Sequence, residues 1–241
     1  MEIFTDSFRV RISDSDSRGY LRMPALLGMF QEVARDHAEL RGIGSTLLEP
    51  QDLGWALSKM LICVDRLPRC GERLTIRTWP STRNKIFTER EFLVFDESGA
   101  QIISARSLWV LFDLKKRRLE RLDKLPDWPR LEEFANSEKF GDMSPPLAGE
   151  IFETSFSVRK DDLDINGHVN NPLYLTWALE PLADDFYNAH LPKRVELWFL
   201  SEVFRSDTPE ASCSVCGNIS AHKIFADGKD RARAVVEWIN A

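Results

Sequence analysis

Apolar and polar residues alternate near the start of the chain, where Phe8, Val10 and Ile12 occupy every second position. This period of two predicts a β-strand. After a polar, Asp-rich turn the period changes to that of a helix. Pro24 near the start and Gly42 after the end mark the limits of this helix. One face of it collects Leu26, Leu27, Phe30, Val33, Ala34 and His37.

Apolar segments after the helix predict strands at about 54–65, 71–79, 86–97 and 100–114. The polar cluster Asp96–Gly99 forms the turn between the last two. A helix that packs on an antiparallel sheet of this kind gives an α+β fold.

The chain repeats itself at an offset of 148 residues, where residues 8–19 align without a gap with residues 156–167. Gly, Asp and Pro recur at matching positions, and these residues report backbone conformation rather than a shared apolar pattern. We infer an internal duplication. The identical pairs are Phe8/Phe156, Val10/Val158, Arg11/Arg159, Asp14/Asp162, Asp16/Asp164, Gly19/Gly167 and Pro24/Pro172.

The second copy has the same order of elements as the first. A strand over Phe152–Val158 leads to a helix that begins at Asn171-Pro172, points Tyr174, Trp177 and Ala178 inward and ends near Pro181. Strands follow at about 194–205, 210–221 and 231–239. We assign residues 1–120 and 150–241 to the two copies and the charged, Pro-rich segment 121–149 to a linker. The two sheets can join edge to edge into one continuous sheet, which protects their edges.

Charge and composition exclude several functions. A net charge of −6 argues against general nucleic-acid binding, and any acidic partner would need a local basic run such as Lys115–Arg118, which is otherwise an ordinary solvated turn.

No apolar run approaches the roughly 20 residues of a membrane span. The start of the chain does not resemble a secretory signal, so we expect a cytoplasmic protein. The pair Cys213 and Cys216 lies in a predicted strand without a second ligand pair, so we expect neither a metal nor a redox site.

The two copies differ in the turn before the helix. The first copy has Arg18 and Tyr20 where the second has Asn166 and His168, while the aspartate and glycine of the turn are shared. Because the first copy forms this turn without them, the fold alone does not require an amide and an imidazole there. We therefore expect the functional site in the second copy.

Asn166 and His168 suit attack of water on an acyl group. An imidazole can accept a proton at neutral pH, which is worth roughly 10²–10⁴-fold in rate. The Asn166 amide, or backbone N–H groups at the helix start before Pro172, can donate to the oxyanion. We expect Asn170 and Asn171, at that helix start, to contact substrate. Asp164 alone is also an ordinary turn residue, since Asp16 matches it.

The segment Asp164–Asn171, followed by Tyr174, Trp177 and Glu180, resembles the acyl-acyl-carrier-protein (acyl-ACP) thioesterases of fatty-acid biosynthesis, in particular the bacterial type. The first copy is similar to the same family at Phe30–Ala34 with His37, Gly42–Gly44, Trp55–Met60 and Thr78–Pro80. The resemblance covers nearly the whole chain, and the D-x-N-x-H-V-N-N pattern is its most specific part.

This resemblance implies a tandem (double) hot-dog fold and hydrolysis of fatty acyl-ACP, which releases a free fatty acid and ends chain elongation. The acyl carrier protein is then the partner, and no cofactor or metal is implied. The family's aspartate, asparagine and histidine correspond to Asp164, Asn166 and His168, and its glutamate to Glu202. The first copy would shape the acyl-chain pocket, with Trp55, Met60 and Trp79 as bulky candidates.

Glu202 also stands out without the resemblance, because it lies among apolar residues of a predicted strand, where an unpaired carboxylate is costly. We expect Glu202 and His168 to activate water, Asn166 to orient it or polarise the carbonyl, and Asp164 to fix the loop. Direct attack by Glu202 stays open. Val203 occupies the position of a cysteine in plant members, which argues against a thiol nucleophile.

Three other functions fit parts of the pattern. A hot-dog acyl-CoA thioesterase uses the same pantetheine thioester, so the site residues do not distinguish it. A hot-dog hydratase tends to have three positions from Asn to His, whereas Asn166 and His168 are two apart. A non-catalytic acyl-thioester-binding protein would not need this pair. The preferred acyl chain and the pairing of two chains into a homodimer stay open.

Overall fold

The computed structural model describes residues 3–143 and 151–241, so the part of the predicted linker at 144–149 lies outside the described residues. The chain divides into two compact units. The first unit comprises residues up to 22 together with 26–138, and the second comprises residues 23–25 together with 139–241.

The first unit is an antiparallel sheet with strand order β1-β3-β4-β5-β2, and a short strand, β6, pairs with β5. The strands are β1 (Phe4–Arg9), β2 (Leu53–Val64), β3 (Arg73–Arg83), β4 (Phe87–Phe95), β5 (Gln101–Asp113) and β6 (Arg118–Glu120). The helices are α1 (Met23–Leu40), whose residues 26–40 belong to this unit, and the one-turn α2 (Ser45–Leu48).

Helix α1 buries the face that its periodicity predicts. Leu26, Leu27, Phe30 and Val33 are fully buried, and the Phe30 ring packs on Phe92 of β4 with 4.6 Å between centroids. Burial of one such side chain contributes about 1.5–3 kcal/mol. This contact fixes the helix on the sheet and confirms the predicted α+β arrangement.

The second unit repeats this arrangement. Its sheet has the order β7-β9-β10-β11-β8, which matches β1-β3-β4-β5-β2 strand for strand. Trp177 stacks on Phe156 at 5.5 Å, and Tyr174 meets Phe199 edge-on at 5.7 Å. The sequence repeat is thus also a structural repeat. The elements are β7 (Ile151–Ser155), α3 (Asn171–Leu179), α4 (Asp184–Ala189), β8 (His190–Phe199), β9 (Glu210–Cys216), β10 (Ile219–Ala226) and β11 (Lys229–Asn240).

Several strand predictions were wrong in extent. The strand predicted over Phe152–Val158 ends at Ser155. β1 ends at Arg9, and Ile12 lies in a 3-10 turn with 87% of its surface exposed. The segment predicted as one strand at 210–221 is two strands, because Gly217 at φ +59° forms a turn between them. β8 ends at Phe199, so Glu202 lies in the connection to β9 rather than on a strand.

Residues 122–138, which we call the strap, pack against the first unit although their composition predicts a linker. Leu122, Leu125 and Trp128 are buried in one apolar cluster with residues of the sheet. The Glu91 carboxylate, buried and paired with Arg106 at 2.8 Å, accepts a hydrogen bond from the Ala135 N–H at 3.1 Å. Apolar anchors and a buried ion pair therefore hold this segment.

Cys213 and Cys216 lie at opposite faces of β9, Cys213 buried and Cys216 exposed, because three positions along a strand reverse the side-chain direction. The two thiols cannot approach one ligand together. No group of three or more His, Cys, Asp or Glu side chains among the described residues is arranged to hold a metal ion. None of the helices in the described part of the chain is both long and apolar enough to cross a membrane.

Candidate active site

The turn that carries the candidate residues, Leu163–Val169, is set by its aspartate and glycine. The Asp164 N–H donates to the His168 carbonyl at 2.8 Å, and the Gly167 N–H donates to the Asp164 carbonyl at 3.0 Å. Gly167 has φ +80°, a conformation that costs an L-residue with a side chain roughly 1–2 kcal/mol. The Asp164 carboxylate accepts the Asn166 N–H at 2.8 Å, the local bond typical of aspartate in turns.

The turn is anchored on both sides. Leu163 and Val169 form a β-bridge across its base, and the Asn170 N–H donates to the Asp162 carbonyl at 2.9 Å. The buried Asp162 carboxylate in turn accepts the Arg159 N–H at 2.6 Å and the Arg159 Nε–H at 2.9 Å. The loop therefore enters helix α3 from a fixed direction.

His168 lies between two carboxylates. Its Nδ1 is 3.4 Å from Asp164 Oδ2, and its Nε2 is 3.5 Å from Glu202 Oε1. The side chains of His168 and Asp164 are 22% exposed and that of Glu202 is 27% exposed, so water reaches all three. A carboxylate oxygen therefore faces each ring nitrogen. The structure thus brings Asp164, His168 and Glu202 together.

The backbone near Glu202 pairs with the loop that carries His168. The Val169 N–H donates to the Val203 carbonyl at 2.9 Å, and His168 forms a β-bridge with Phe204. This pairing sets Glu202 opposite His168 although 33 residues separate them along the chain.

The predicted asparagines lie at the edge of this group. Asn166 is exposed, and its Nδ2 donates to Asp164 Oδ2 at 3.3 Å. Asn170 is the exposed N-cap residue of α3, and its side chain makes no capping bond, while Asn171 is the first helical residue and is half-buried. Contact of Asn170 and Asn171 with substrate stays a prediction.

The predicted pocket residues belong to the first unit, where Met60 and Trp79 are part of the core and Trp55 packs against it. Met60 is 1% exposed, and Trp79 is 4% exposed with its Nε1–H donating to the Glu133 carbonyl of the strap at 2.9 Å. Trp55 is half-buried, donates to the Ile43 carbonyl at 2.8 Å and meets Trp128 edge-on. A role in binding the acyl chain stays a prediction.

The first unit has the same turn but lacks the histidine of the second. The Asp16 N–H donates to the Tyr20 carbonyl at 2.8 Å, the Gly19 N–H donates to the Asp16 carbonyl at 3.0 Å, and Gly19 has φ +82°. Tyr20 thus occupies the position of His168, and its ring lies 4.2 Å from the Arg69 guanidinium. This turn has no imidazole, and its Asp16 carboxylate pairs with Arg18 at 2.9 Å.

Another histidine, His222, lies inside the second unit next to a serine hydroxyl. Nε2 of His222 is 2.7 Å from Ser220 Oγ, a geometry that resembles an activated serine. Both side chains are buried, however, and Ser220 Oγ also accepts a hydrogen bond from Trp238 Nε1 at 2.7 Å. Burial lowers the pKa of His222 to about 4. We assign this pair to the core.

Comparison with protein families matches both halves of the chain. The family model described as Acyl-ACP thioesterase N-terminal domain matches residues 1–125, and the one described as Acyl-ACP thioesterase C-terminal domain matches residues 147–240.

Among curated proteins, the chain is 29% identical over 197 residues to the chloroplastic palmitoyl-acyl carrier protein thioesterase of Cuphea hookeriana, covering 74% of this chain and 46% of that protein. The chain spans about half the length of the first curated relatives it matches.

Two solved structures are similar over the whole chain. An acyl-ACP thioesterase from Bacteroides thetaiotaomicron is 26% identical, with a TM-score of 0.81 and coverage of 99% of this chain and 98% of that one. The 12:0-ACP thioesterase from Umbellularia californica is 24% identical, with a TM-score of 0.86 and coverage of 100% and 98%. These similarities confirm the predicted tandem hot-dog fold; the edge-to-edge joining of the two sheets stays a prediction.

Proposed function

Since the chain belongs to the acyl-ACP thioesterase family, we propose that it hydrolyses fatty acyl-acyl carrier protein thioesters and releases a free fatty acid. The observation that carries the proposal is the position of His168, with Asp164 at 3.4 Å from one ring nitrogen and Glu202 at 3.5 Å from the other. The equivalent turn of the first unit has Tyr20 instead of a histidine.

In the mechanism we propose, His168 and Glu202 act on one water molecule. The imidazole, assisted by the Glu202 carboxylate, takes a proton as the water oxygen bonds to the acyl carbon, and the imidazolium is stabilised between the two carboxylates. Collapse of the oxyanion breaks the carbon–sulfur bond, and the proton passes to the leaving thiolate. Distances of 3.4–3.5 Å are long for hydrogen bonds, and catalytic contacts of this kind often shorten only when substrate binds.

Asn166 has a separate part in this proposal. Its exposed amide lies on the Asp164 side of the turn, so it can turn towards the acyl oxygen without losing a buried contact. A donor to the oxyanion contributes about 10²–10³-fold in rate. Asp164 holds both the Asn166 backbone and the Nδ1 side of His168, which fits a positioning role.

The acyl carrier protein is the partner we propose, and acyl-coenzyme A is the alternative carrier. The basic run Lys115–Arg118 is exposed, but Lys115 pairs with Asp52 at 2.7 Å and Lys116 with Asp113 at 3.0 Å. Those pairs reduce the charge available to an acidic partner, so this run alone does not argue for the carrier protein. The cytoplasmic location stays a prediction and the homodimer stays open; fractionation would test the first and sedimentation the second.

The test is thiol release from acyl-ACP and acyl-CoA thioesters that carry the same acyl chains, with wild type and His168→Ala compared. We expect faster release from acyl-ACP and a loss of at least about 10²-fold in kcat for the variant. Wild-type rates in His168→Ala would contradict the site. Faster release from acyl-CoA would favour the alternative carrier, and binding without release from any thioester would indicate a non-catalytic protein.

A further inference from the structure

The hydroxyl of Tyr174 holds the backbone on both sides of Glu202. It accepts a hydrogen bond from the Val203 N–H at 2.8 Å and donates to the Ser201 carbonyl at 3.4 Å. The side chain is 3% exposed, and its ring lies edge-on to Phe199. Burial raises the pKa of Tyr174 above its usual range, so the hydroxyl keeps the proton that it donates.

Arg231 holds the same segment from the sheet. Its Nη1 donates to the Glu202 carbonyl at 3.0 Å, and its Nη2 lies 3.6 Å from Asp207. The Asp207 carboxylate also accepts the Phe204 N–H at 3.0 Å. Only 14% of the Arg231 side chain is exposed, so the guanidinium is fixed among these partners rather than available to substrate.

Val203 links these contacts to the catalytic turn. Its N–H donates to the Tyr174 hydroxyl and its carbonyl accepts from the Val169 N–H at 2.9 Å, next to His168. A shift of the segment would therefore change the distance between the Glu202 carboxylate and the imidazole, which is 3.5 Å.

Hydrogen bonds locate the equivalent segment of the first unit. There the N–H groups of Asp65 and Arg66 share the carbonyl of Ile102, at 2.9 and 3.2 Å. In the second unit the N–H groups of Leu200 and Ser201 share the carbonyl of Arg231, also at 2.9 and 3.2 Å. Ile102 therefore corresponds to Arg231.

The same register shows what the first unit lacks. The Leu21 N–H donates to the Pro68 carbonyl at 2.8 Å, as Val169 does to Val203, so Pro68 corresponds to Val203 and Leu67 to Glu202. Proline has no N–H to donate. The 148-residue offset places Leu26 at the position of Tyr174. The turn and connection thus fold without the hydroxyl, the guanidinium or the carboxylate.

We propose that Tyr174 and Arg231 are positioning residues, which hold the backbone of residues 201–203 so that the Glu202 carboxylate stays within reach of His168. The proposal rests on the proposed hydrolysis. Because the first unit lacks these two side chains together with the glutamate and the histidine, they serve the site rather than the fold. Neither touches the reacting atoms.

Tyr174→Phe removes only the hydroxyl and keeps the buried ring. We expect kcat to fall about 10- to 100-fold, as for a misplaced catalytic group, with KM within about twofold of wild type. Arg231→Met should behave in the same way, and Arg231→Lys should recover part of the rate. The matched control is Ser220→Ala, which removes another buried, hydrogen-bonded hydroxyl of the same unit and should lower stability but not kcat.

A double-mutant cycle with Glu202→Gln separates positioning from general destabilisation. If Tyr174 acts through Glu202, Tyr174→Phe should change the residual rate of Glu202→Gln by less than about twofold. Wild-type kcat in Tyr174→Phe, or the same loss in both backgrounds, would overturn the positioning role. His168→Ala, assayed beside them, separates the two failures: an unchanged rate there refutes the proposed hydrolytic site, whereas its loss with an active Tyr174→Phe refutes only the positioning role.

Discussion

We expect the His222→Gln variant to lose much of the acid sensitivity of the wild-type second unit. The imidazole is 3% exposed, and its Nε2 faces the Ser220 hydroxyl at 2.7 Å. Burial lowers the pKa of His222 from 6.5 to about 4, because a charged imidazole would lose its hydration there. Glutamine keeps an acceptor for the Ser220 hydroxyl and does not titrate.

The size of the effect follows from proton linkage. Below pH 6.5 the unfolded chain binds a proton at His222, whereas the folded protein binds it only near pH 4. The contribution of neutral His222 to the free energy of unfolding is therefore complete above pH 6.5 and is lost as the pH falls from 6.5 to 4. At pH 5 the loss is about 2 kcal/mol, and it approaches about 3 kcal/mol below pH 4.

The assay is urea unfolding of wild type and His222→Gln at pH 7.5 and pH 5, followed by tryptophan fluorescence, since Trp238 bonds to Ser220. The variant should be less stable at pH 7.5 but should lose about 2 kcal/mol less than wild type on acidification. Equal losses would refute a neutral, buried His222. Thioester hydrolysis by the variant should persist, and its abolition would mean that the Ser220–His222 pair is catalytic.

Three further outcomes are expected. Gly167→Ala and Gly19→Ala both place a side chain at φ near +80° with open space around it, so each should cost about 1–2 kcal/mol in urea unfolding, but only Gly167→Ala should lower kcat. Glu91→Ala leaves the buried Arg106 guanidinium without its carboxylate partner and removes the contact with Ala135 of the strap. It should therefore lower the free energy of unfolding by about 3–5 kcal/mol and speed proteolysis at 122–138. Cys216 is exposed while burial raises the pKa of Cys213 to about 11, so peptide mapping should find alkylation at Cys216 before Cys213, with hydrolysis unchanged.

Results that would contradict them are specific. Loss of kcat in Gly19→Ala would give the first turn a catalytic part. Unchanged stability of Glu91→Ala would show that the strap does not depend on this carboxylate. Inactivation by alkylation of Cys216 would place a thiol in the reaction.

Local patterns were enough to predict most of the fold and part of the site. The turn at Asp164 and His168 depends on residues within five positions of each other, and the first copy showed which of them the fold requires. The buried face of α1, including Phe30, followed from helical spacing. Glu202 was found through its apolar neighbours and the family resemblance, although it lies beyond the end of the strand.

Contacts between distant residues could not be predicted in this way. The pattern shows that Tyr174 points inward, but not that its hydroxyl meets a backbone N–H 29 residues away. The packing of the strap could not be predicted because its composition is that of a linker. Its contacts join residues far apart in the chain, such as Trp79 and Glu133, which are 54 positions apart. The Gly217-Asn218 pair is typical of a turn, but apolar and polar residues alternate on both sides of it, so the sequence predicts one continuous strand there.

Replacement of His168 by the residue found at the same position of the first turn tests the central claim most directly. His168→Tyr gives the second turn the residue that the first turn already accommodates, so it should fold with an unfolding midpoint close to wild type. We predict that this variant loses at least about 10²-fold in kcat on its best acyl thioester, whereas Tyr20→Phe hydrolyses it at the wild-type rate. A folded His168→Tyr variant with wild-type kcat would contradict the assignment of hydrolysis to this turn.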